Sequence, residues 1–130
     1  MHKYNVMTNE SLYKRMGGYD VIAAITDDFL TRLVVHEQMK RFFFGASEST
    51  RIQRRQYIVD FICAKTGGPC AYTGRTMKDS HKGLNITQSD WNVLSELFLQ
   101  SLKKYGLKER EIEDLMDFID SLKADILESA

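Results

Sequence analysis

Apolar residues recur every three or four positions along most of this chain, a spacing that favours helices over strands. The clearest run lies near the C-terminal end, between about Lys108 and Glu128. Its apolar positions are Ile112, Leu115, Met116, Ile119, Leu122 and Ile126. No segment of comparable length alternates with period two, and a single proline interrupts the chain. The sequence therefore predicts an all-α domain.

Two helices are predicted before the aromatic run Phe42-Phe43-Phe44. Ser11 caps a short one that ends at Gly17-Gly18, and the second spans Asp20 to about Val35. The apolar stripe of the second helix comprises Ile22, Ile25, Phe29 and Leu33. Three consecutive aromatic residues cannot share one helical stripe, so some of Phe42-Phe43-Phe44 must face a second surface.

A third helix is predicted after the serine-rich link that follows Gly45. Either Ser47 or Ser49 can cap it, and it extends to about Lys65. Gly67-Gly68-Pro69 ends it, because glycine accepts left-handed dihedral angles and proline cannot continue the hydrogen-bond ladder.

Two more helices precede the C-terminal one. The first covers only Thr76 to His81 and is closed by Gly83. The second follows Thr87-Gln88-Ser89-Asp90, which resembles a capping box with Asp in place of the usual Glu or Gln. This helix carries Trp91, Leu94, Leu97 or Phe98, and Leu102, and Gly106 marks its end.

Length and charge bound the function classes. With 130 residues, 18 basic and 18 acidic, we expect one domain at residues 11–130 after an extension at residues 1–10. Zero net charge argues against nucleic acid as a partner. No apolar run is long enough to span a bilayer and no secretory signal is evident, so we expect no membrane partner and a cytoplasmic location. Cys63 and Cys70 are expected to be reduced thiols.

Of the three histidines, His81 is the candidate for chemistry. His2 lies in a terminus that we expect to be frayed, and His36 lies at a helix junction, where exposure is expected. His81 follows Met77 by four residues on a short helix, with a sharp turn behind it. One histidine in such a place is more often a surface or capping residue than a ligand. The neighbouring residues must therefore decide between these roles.

Several segments place a large apolar side chain on the stripe of their own element. They are Phe43, Phe61, Met77, Ile86, Trp91, Leu94 and Ile119. Such residues either form an aromatic core or line a slot for a flat apolar cofactor, with His81 as its strong ligand.

The chain resembles the truncated haemoglobins, in particular their first group. The matching residues, from about Ser11 to Ile126, are Leu12-Tyr13, Met16-Gly17-Gly18, Asp27-Asp28-Phe29, Phe42-Phe43, Phe61, Gly67-Gly68-Pro69 and the run from Tyr72 to Thr87. The last run is the most specific, since it joins a Tyr-x-Gly turn to a histidine followed by Gly-Leu and Ile-Thr.

This resemblance implies a two-over-two helical sandwich that holds haem b, iron protoporphyrin IX. It places His81 at the axial position, where a neutral imidazole binds iron and leaves the opposite face for a gas. It also implies a haem pocket lined by Phe43, Arg54, Ile58, Phe61, Met77, Ile86, Trp91, Leu94 and Ile119. Basic side chains from the set Arg51, Arg54, Arg75 and Lys78 could pair with the haem propionates.

The distal side departs from the family pattern. Leu30 stands where many first-group members have a tyrosine that donates a hydrogen bond to the bound gas. Counting back from Phe61 brings Arg54 and Ile58 to the haem side, where glutamine is common in the family. A shift of one residue would instead bring Gln53 and Tyr57 there. No histidine lies on this helix, so two histidine ligands to iron are not expected.

The resemblance leaves three functions open. The first is reversible binding of oxygen or nitric oxide at ferrous haem iron. The second is nitric oxide dioxygenation, which requires an electron-donating reductase as partner and is favoured by a distal hydrogen-bond donor. The third is a haem-based redox or gas sensor. We expect a monomer or a weak homodimer.

Overall fold

The structure is a computed structural model that describes residues 10–127, and this part of the chain contains helices and no strand. The helices are α1 Leu12–Met16, α2 Tyr19–Val35, a 3₁₀ turn Lys40–Phe43, α3 Glu48–Lys65, α4 Met77–His81, α5 Gln88–Lys104, α6 Glu109–Ser121 and α7 Lys123–Ile126. The all-α prediction is confirmed. Apart from Glu10, the expected N-terminal extension with His2 lies outside the described residues, and so does Glu128.

The four long helices form two packed pairs. Helix α2 packs against α3 and α5, and α5 packs against α6, while α1 fills the space between α2 and α6. This arrangement is the predicted two-over-two sandwich. The shared core consists of Met16, Ile22, Ile25, Phe29, Leu33, Met39, Val59, Ile62, Cys63, Leu97, Phe98, Leu102 and Leu115. We call this set the main core.

Local capping determines where the first helices begin and end. The Ser11 Oγ accepts a hydrogen bond from the Lys14 amide at 3.1 Å, and Gly17 ends α1 at a φ of 112°. A left-handed φ of this kind favours glycine, as the sequence predicted. Ser47, rather than Ser49, caps α3 by accepting from the Thr50 amide at 3.2 Å.

Asp28 joins α2 to α5 inside the sandwich. Its carboxylate accepts hydrogen bonds from Arg32, Ser101 and Lys104 at 2.7, 2.7 and 3.0 Å. Burial acts to raise the pKa of Asp28, but these donors outweigh burial and lower it to about 2. The carboxylate is therefore ionised at neutral pH and holds the two helix pairs in register.

The C-terminal helix is shorter than its apolar periodicity predicts. It divides at Leu122, whose amide donates to the carbonyl of Ile119 instead of continuing the α-helical pattern. Helix α7 then packs against α4, and Ile126 is buried there. The prediction of one helix over this segment is wrong, because a contact distant in sequence bends it.

The two cysteines are joined. Cys63, in the last turn of α3, forms a disulfide with Cys70 across a Cα–Cα distance of 5.7 Å, within the usual range for such bonds. Gly68 lies between them, and a Cβ atom there would collide with the Tyr13 ring and the Cys63 sulfur. The prediction of two reduced thiols is wrong, since the Gly-Gly-Pro turn folds the chain back on itself.

Among the described residues, no helix combines the length and apolarity needed to cross a membrane.

Candidate functional site

His81 ends α4 and is half-buried. Thr76 caps the start of this short helix, and its hydroxyl accepts a hydrogen bond from the Asp79 amide at 3.1 Å. The His81 Nδ1 atom lies 2.8 Å from the carbonyl oxygen of Met77 and 2.9 Å from the Ser80 hydroxyl. A carbonyl oxygen only accepts, so Nδ1 carries the proton in this contact. In the neutral ring this arrangement leaves the lone pair on Nε2, the atom through which such an imidazole binds a metal.

A second apolar cluster surrounds α4. Its buried members are Ile86, Trp91 and Ile126, and Met77, Leu122 and Leu127 pack against them. Phe42, Leu94 and Ile119 belong both to this cluster and to the edge of the main core. These three side chains thus lie between the helix that carries His81 and the rest of the sandwich. Five residues predicted for the pocket, Met77, Ile86, Trp91, Leu94 and Ile119, come together here.

Asp90 fixes the position of this cluster. Together with Thr87 it forms the predicted capping box, in which the Thr87 amide donates to Asp90 at 3.0 Å and the Asp90 amide donates to Thr87 at 3.1 Å. The buried carboxylate also accepts hydrogen bonds from Gln38, at 2.7 Å, and from Arg41. The same Arg41 lies 4.3 Å from the centroid of the Phe42 ring. Asp90 thereby ties the Phe42 segment to the start of α5.

These contacts determine how Asp90 ionises. Burial acts to raise its pKa, but hydrogen bonds from the Thr87 backbone, Gln38 and Arg41 lower it from its ordinary 3.8 to about 2. The capping carboxylate is charged at neutral pH, which also suits its place at a helix N-terminus. We call α4, the second cluster and the Thr87–Asp90 box the His81 side of the site.

The opposite side begins with Phe61, which is buried on α3. Its ring lies 5.1 Å from that of Tyr72 and 5.9 Å from that of Phe118, measured between centroids. Tyr72 belongs to the loop that leads to α4, and its hydroxyl donates to the carbonyl of Arg75. Phe61 therefore connects α3 to the segment that carries His81.

Arg54, Ile58 and Phe61 share one stripe of α3, because they are spaced by four and three residues. Ile58 and Leu30 are half-buried against the main core, and Arg54 is exposed at the start of the stripe. We call Leu30, Arg54, Ile58 and Phe61 the α3 side of the site.

The alternative distal residues, Gln53 and Tyr57, bond to each other. The Gln53 amide donates to the Tyr57 hydroxyl at 3.3 Å, and the Tyr57 ring meets the edge of the Tyr72 ring at a centroid distance of 6.1 Å. Gln53 is exposed and Tyr57 is half-buried. This pair lies next to the Arg54 stripe, on the flank of α3 that contacts the Tyr72 loop.

The three consecutive phenylalanines separate as the sequence predicted. Phe42 and Phe43 are half-buried, while Phe44 is 73% exposed. Phe43, the residue predicted to pack on the cofactor, contacts the main core, and Phe42 reaches both the main core and the second cluster. The run of aromatic residues indicated that one of them contacts a second surface. Because the three residues are identical, the sequence did not indicate that this residue is Phe42.

Two further residues were not predicted for the site. Tyr72 and Leu122 were noted only as members of a turn and of a helical stripe, yet Tyr72 packs on Phe61 and Leu122 joins the second cluster. Of the basic candidates for propionate pairing, Arg51, Arg54, Arg75 and Lys78 are all exposed. His36, expected to be exposed, is half-buried, and its Nδ1 accepts a hydrogen bond from the Gln38 amide at 3.1 Å.

Comparison with known proteins identifies relatives over nearly the whole chain. Residues 11–128 match the family described as bacterial-like globin. The chain is 29% identical over 116 residues to a Group 1 truncated hemoglobin of Mycolicibacterium paratuberculosis, covering 89% of this chain and 83% of that one.

Solved structures show the same fold. The truncated hemoglobin of Tetrahymena pyriformis in its Fe(III) form superposes with a TM-score of 0.84 at 24% identity, covering 92% of this chain and all of that one. The 2/2 hemoglobin of Synechococcus sp. PCC 7002, in the cyanomet state with covalently attached heme, gives a TM-score of 0.81 at 21% identity, covering 91% and 98%.

Proposed function

Because this chain belongs to the bacterial-like globin family, we propose that His81 is the axial ligand of haem b and that a diatomic gas binds reversibly at the ferrous iron. Globins of this family carry haem and bind a diatomic gas. Oxygen and nitric oxide are the gases that we assign to this chain. The observation that carries the proposal is the hydrogen bond between His81 Nδ1 and the Met77 carbonyl.

The residues on the His81 side suit a haem. A neutral imidazole is the donor that iron requires, and the orientation of His81 is fixed through Nδ1 by the Met77 carbonyl and the Ser80 hydroxyl. Met77, Ile86 and Trp91 provide an apolar surface of the kind that a porphyrin contacts. When bound, haem supplies the iron atom at which the gas is held.

Apolar side chains on both sides would exclude water from that iron. Leu94 and Ile119 extend the wall from the second cluster to the main core, and Leu30 and Ile58 continue it on the α3 side. Exclusion of water slows the oxidation and displacement reactions that compete with reversible binding. We therefore favour reversible gas binding.

Nitric oxide dioxygenation and sensing are less well supported. Dioxygenation is favoured by a donor beside the bound gas. Leu30 and Ile58 have none, so Arg54, or Tyr57, whose hydroxyl accepts from Gln53 and keeps its own proton, would have to supply it. We also propose that an electron-donating reductase is a partner of this protein. We propose a monomer or a weak homodimer as its oligomeric state. No observation on the described residues favours a sensor.

His81→Ala tests the axial assignment. We expect the purified variant, mixed with hemin, to lose the sharp Soret band and the ferrous carbonmonoxy spectrum of the wild type, while its far-ultraviolet circular dichroism changes little. External imidazole should restore part of the spectrum to His81→Gly, because the missing donor is supplied from solution.

His36→Ala is the matched control, since His36 is also half-buried but lies at the end of α2. It should retain the wild-type spectrum. An unchanged spectrum in His81→Ala would overturn the axial assignment, and a wild-type chain that takes up no hemin would overturn the proposed function.

A further inference from the structure

The segment that carries His81 is rich in positive charge that the fold does not use. Between Phe61 and Ser89 the sequence contains one acidic residue, Asp79, against four lysines and arginines. These four, which we call the basic surface, are Lys65, Arg75, Lys78 and Lys82. All four are exposed, and none forms an ion pair with a carboxylate of residues 10–127. Six other basic residues do form such pairs, namely Arg15, Arg32, Lys40, Arg41, Arg55 and Lys104.

Contacts join the basic surface into one patch beside the site. The Lys65 ammonium lies 5.8 Å from the centroid of the Phe61 ring, and that ring packs on Tyr72 at 5.1 Å. The Tyr72 hydroxyl donates to the carbonyl of Arg75, whose guanidinium lies 3.5 Å from the carbonyl oxygen of Asp79. The end of α3 is thus linked through the Tyr72 loop to α4.

The two lysines of α4 lie beside the stripe that faces the site. Met77 and His81 are four residues apart, and so are Lys78 and Lys82, so the two pairs form neighbouring stripes about 100° apart around the helix. Met77 packs in the second cluster, whereas both lysines are exposed. The lysines therefore flank the proposed iron ligand on its solvent side.

An exposed apolar residue lies next to these charges. Leu84 is 42% exposed, and its amide donates to the His81 carbonyl at 3.3 Å. Arg54 extends the positive charge along α3, because it is exposed and has no carboxylate partner among residues 10–127. Tyr57, one turn after Arg54, packs on the Tyr72 ring. Apolar area with charged residues around it is the composition of a surface that binds another protein.

The acidic residues are concentrated elsewhere. Helix α6 contains six acidic residues against one basic residue, Arg110. Helix α7, which packs on α4, contains one of each kind, Lys123 and Asp125. The zero net charge of the chain therefore combines a positive segment around His81 with a negative α6. A negatively charged partner is attracted to the first and repelled by the second, which orients its approach.

We propose that the basic surface is the docking site of the electron-donating partner, and that this partner is a small redox protein with acidic residues around its flavin or iron–sulfur cluster. The inference rests on the proposed function, since it needs ferric haem on His81 as the electron acceptor. In the step that this complex serves, the reduced cofactor of the partner loses one electron and the ferric iron becomes ferrous. No atom is transferred.

The number and exposure of these cations favour a protein partner. Haem b carries two propionates, so pairing with both of them would leave two of the four cations without a partner. Complexes between redox proteins are small and transient and depend on complementary charge for their encounter. Exposed, unpaired lysines and arginines beside the proposed iron ligand suit such an encounter.

The double variant Lys65→Glu/Lys82→Glu tests the docking site without changing a residue assigned to the haem pocket or to a propionate. The measurement is calorimetric titration of the ferric holoprotein with oxidised plant-type ferredoxin, an acidic iron–sulfur protein, at about 20 mM ionic strength. We expect the affinity to fall about tenfold or more, because two attractive charges become repulsive. Lys65→Gln/Lys82→Gln should show a smaller loss.

Reduction kinetics give a second readout. The second-order rate constant for reduction by reduced ferredoxin, followed by stopped flow under carbon monoxide, should fall about tenfold at the same ionic strength. The difference should nearly disappear at about 500 mM salt, where the charges are screened. The rate at which carbon monoxide, a neutral ligand, binds the ferrous protein should not change.

Lys103→Glu/Lys108→Glu is the matched control, because it changes the net charge by the same amount. Both lysines are exposed, form no ion pair with a described residue, and lie at the end of α5 and at the start of α6. This variant should retain most of the affinity for ferredoxin.

Three outcomes would overturn the inference while leaving the proposed function intact. One is a Lys65→Glu/Lys82→Glu holoprotein with a normal Soret band and an unchanged affinity for ferredoxin. Another is an equal loss of affinity in the control, which would assign the effect to net charge alone.

The third outcome is an unchanged affinity for ferredoxin together with a different loss. Hemin released several-fold faster to apomyoglobin would assign the basic surface to the haem propionates, and lost binding to phosphatidylglycerol vesicles would assign it to a membrane. A wild-type chain without a Soret band would overturn both proposals.

Discussion

The two sides of the site differ in how far apart their residues lie in the sequence. On the His81 side, α4 and the capping box belong to one continuous segment, from Thr76 to Trp91, and their hydrogen bonds join residues three or four positions apart. The α3 side combines Leu30 of α2 with Arg54 and Ile58 of α3, and the link that contains the 3₁₀ turn Lys40–Phe43 separates these two helices. Local hydrogen bonds therefore determine α4 and the capping box within their own segment, whereas the second cluster and the α3 side depend on how the helices pack.

Removal of the Asp90 carboxylate should have the largest effect, because it disrupts the His81 side where that side meets the rest of the fold. Asp90→Asn leaves Arg41 without its carboxylate and weakens the capping box. We expect a loss of about 2 to 4 kcal/mol in the free energy of unfolding, the range for buried, charge-assisted hydrogen bonds. Urea unfolding at pH 7 measures it.

The pH dependence of that loss has a definite sign. The pKa of Asp90 is lower in the folded chain than in the unfolded one, about 2 against 3.8. Its contribution is therefore complete above about pH 4 and is lost as the pH falls toward 2. The difference between wild type and Asp90→Asn should shrink over this interval. Asp117→Asn, at an exposed aspartate of α6, is the control, and an equal loss in both variants would contradict the role of Asp90.

The disulfide joins the end of α3 to the loop that leads to α4, and its removal should have the next largest effect. Cys63 lies in α3, while Cys70 begins the loop whose Tyr72 packs on Phe61. Loss of a bond that closes a loop of this length should reduce the free energy of unfolding by about 2.5 kcal/mol in the chain-entropy treatment. Cys70→Ser tests this by thermal unfolding.

Reduction supplies the control for that variant. Dithiothreitol should lower the melting temperature of the wild type toward that of Cys70→Ser, and it should leave the variant unchanged. If dithiothreitol leaves the melting temperature of the wild type unchanged, even when the chain is reduced while unfolded, the result would argue against the disulfide.

Tyr57→Phe should have the smallest effect, and it tests whether the α3 side contains a hidden donor. The Tyr57 hydroxyl accepts a hydrogen bond from Gln53, and its ring packs on the Tyr72 loop. We expect the Tyr57 hydroxyl not to reach the ligand, so oxygen dissociation, followed by stopped flow, should change by less than about twofold. Leu30→Tyr introduces a hydroxyl and should slow dissociation. Much faster oxygen dissociation in Tyr57→Phe would instead assign Tyr57 as the residue that donates a hydrogen bond to the bound gas.

Sequence reasoning succeeded where a helix end depends on nearby residues. The Thr87–Asp90 capping box, the Ser11 cap and the stop at Gly17-Gly18 all appear at the predicted positions. In each case the partner of the hydrogen bond lies within four residues, so the signal is contained in a short stretch of sequence.

Sequence reasoning failed where the contacting residue is distant in the sequence, and where identical neighbours leave it undetermined which of them makes a contact. Nothing in the periodicity near Leu122 reveals that α7 must bend to meet α4. Spacing alone did not join Cys63 to Cys70, because the turn between them brings the sulfurs together only once folded. Phe42 and Phe43 are chemically identical, so only packing decides which of them reaches the second cluster.

The sequence by itself determined the helical class, most helix ends and the segment that presents His81, because those features follow from side chains and backbone groups a turn or two apart. The tertiary structure decided which aromatic residue joins the two apolar clusters, that Gln53 and Tyr57 bond to each other, and that Arg54 has no carboxylate partner among the described residues. These outcomes depend on how α2, α3 and α5 pack together, and packing is a property of surfaces that the chain brings together only when the core forms.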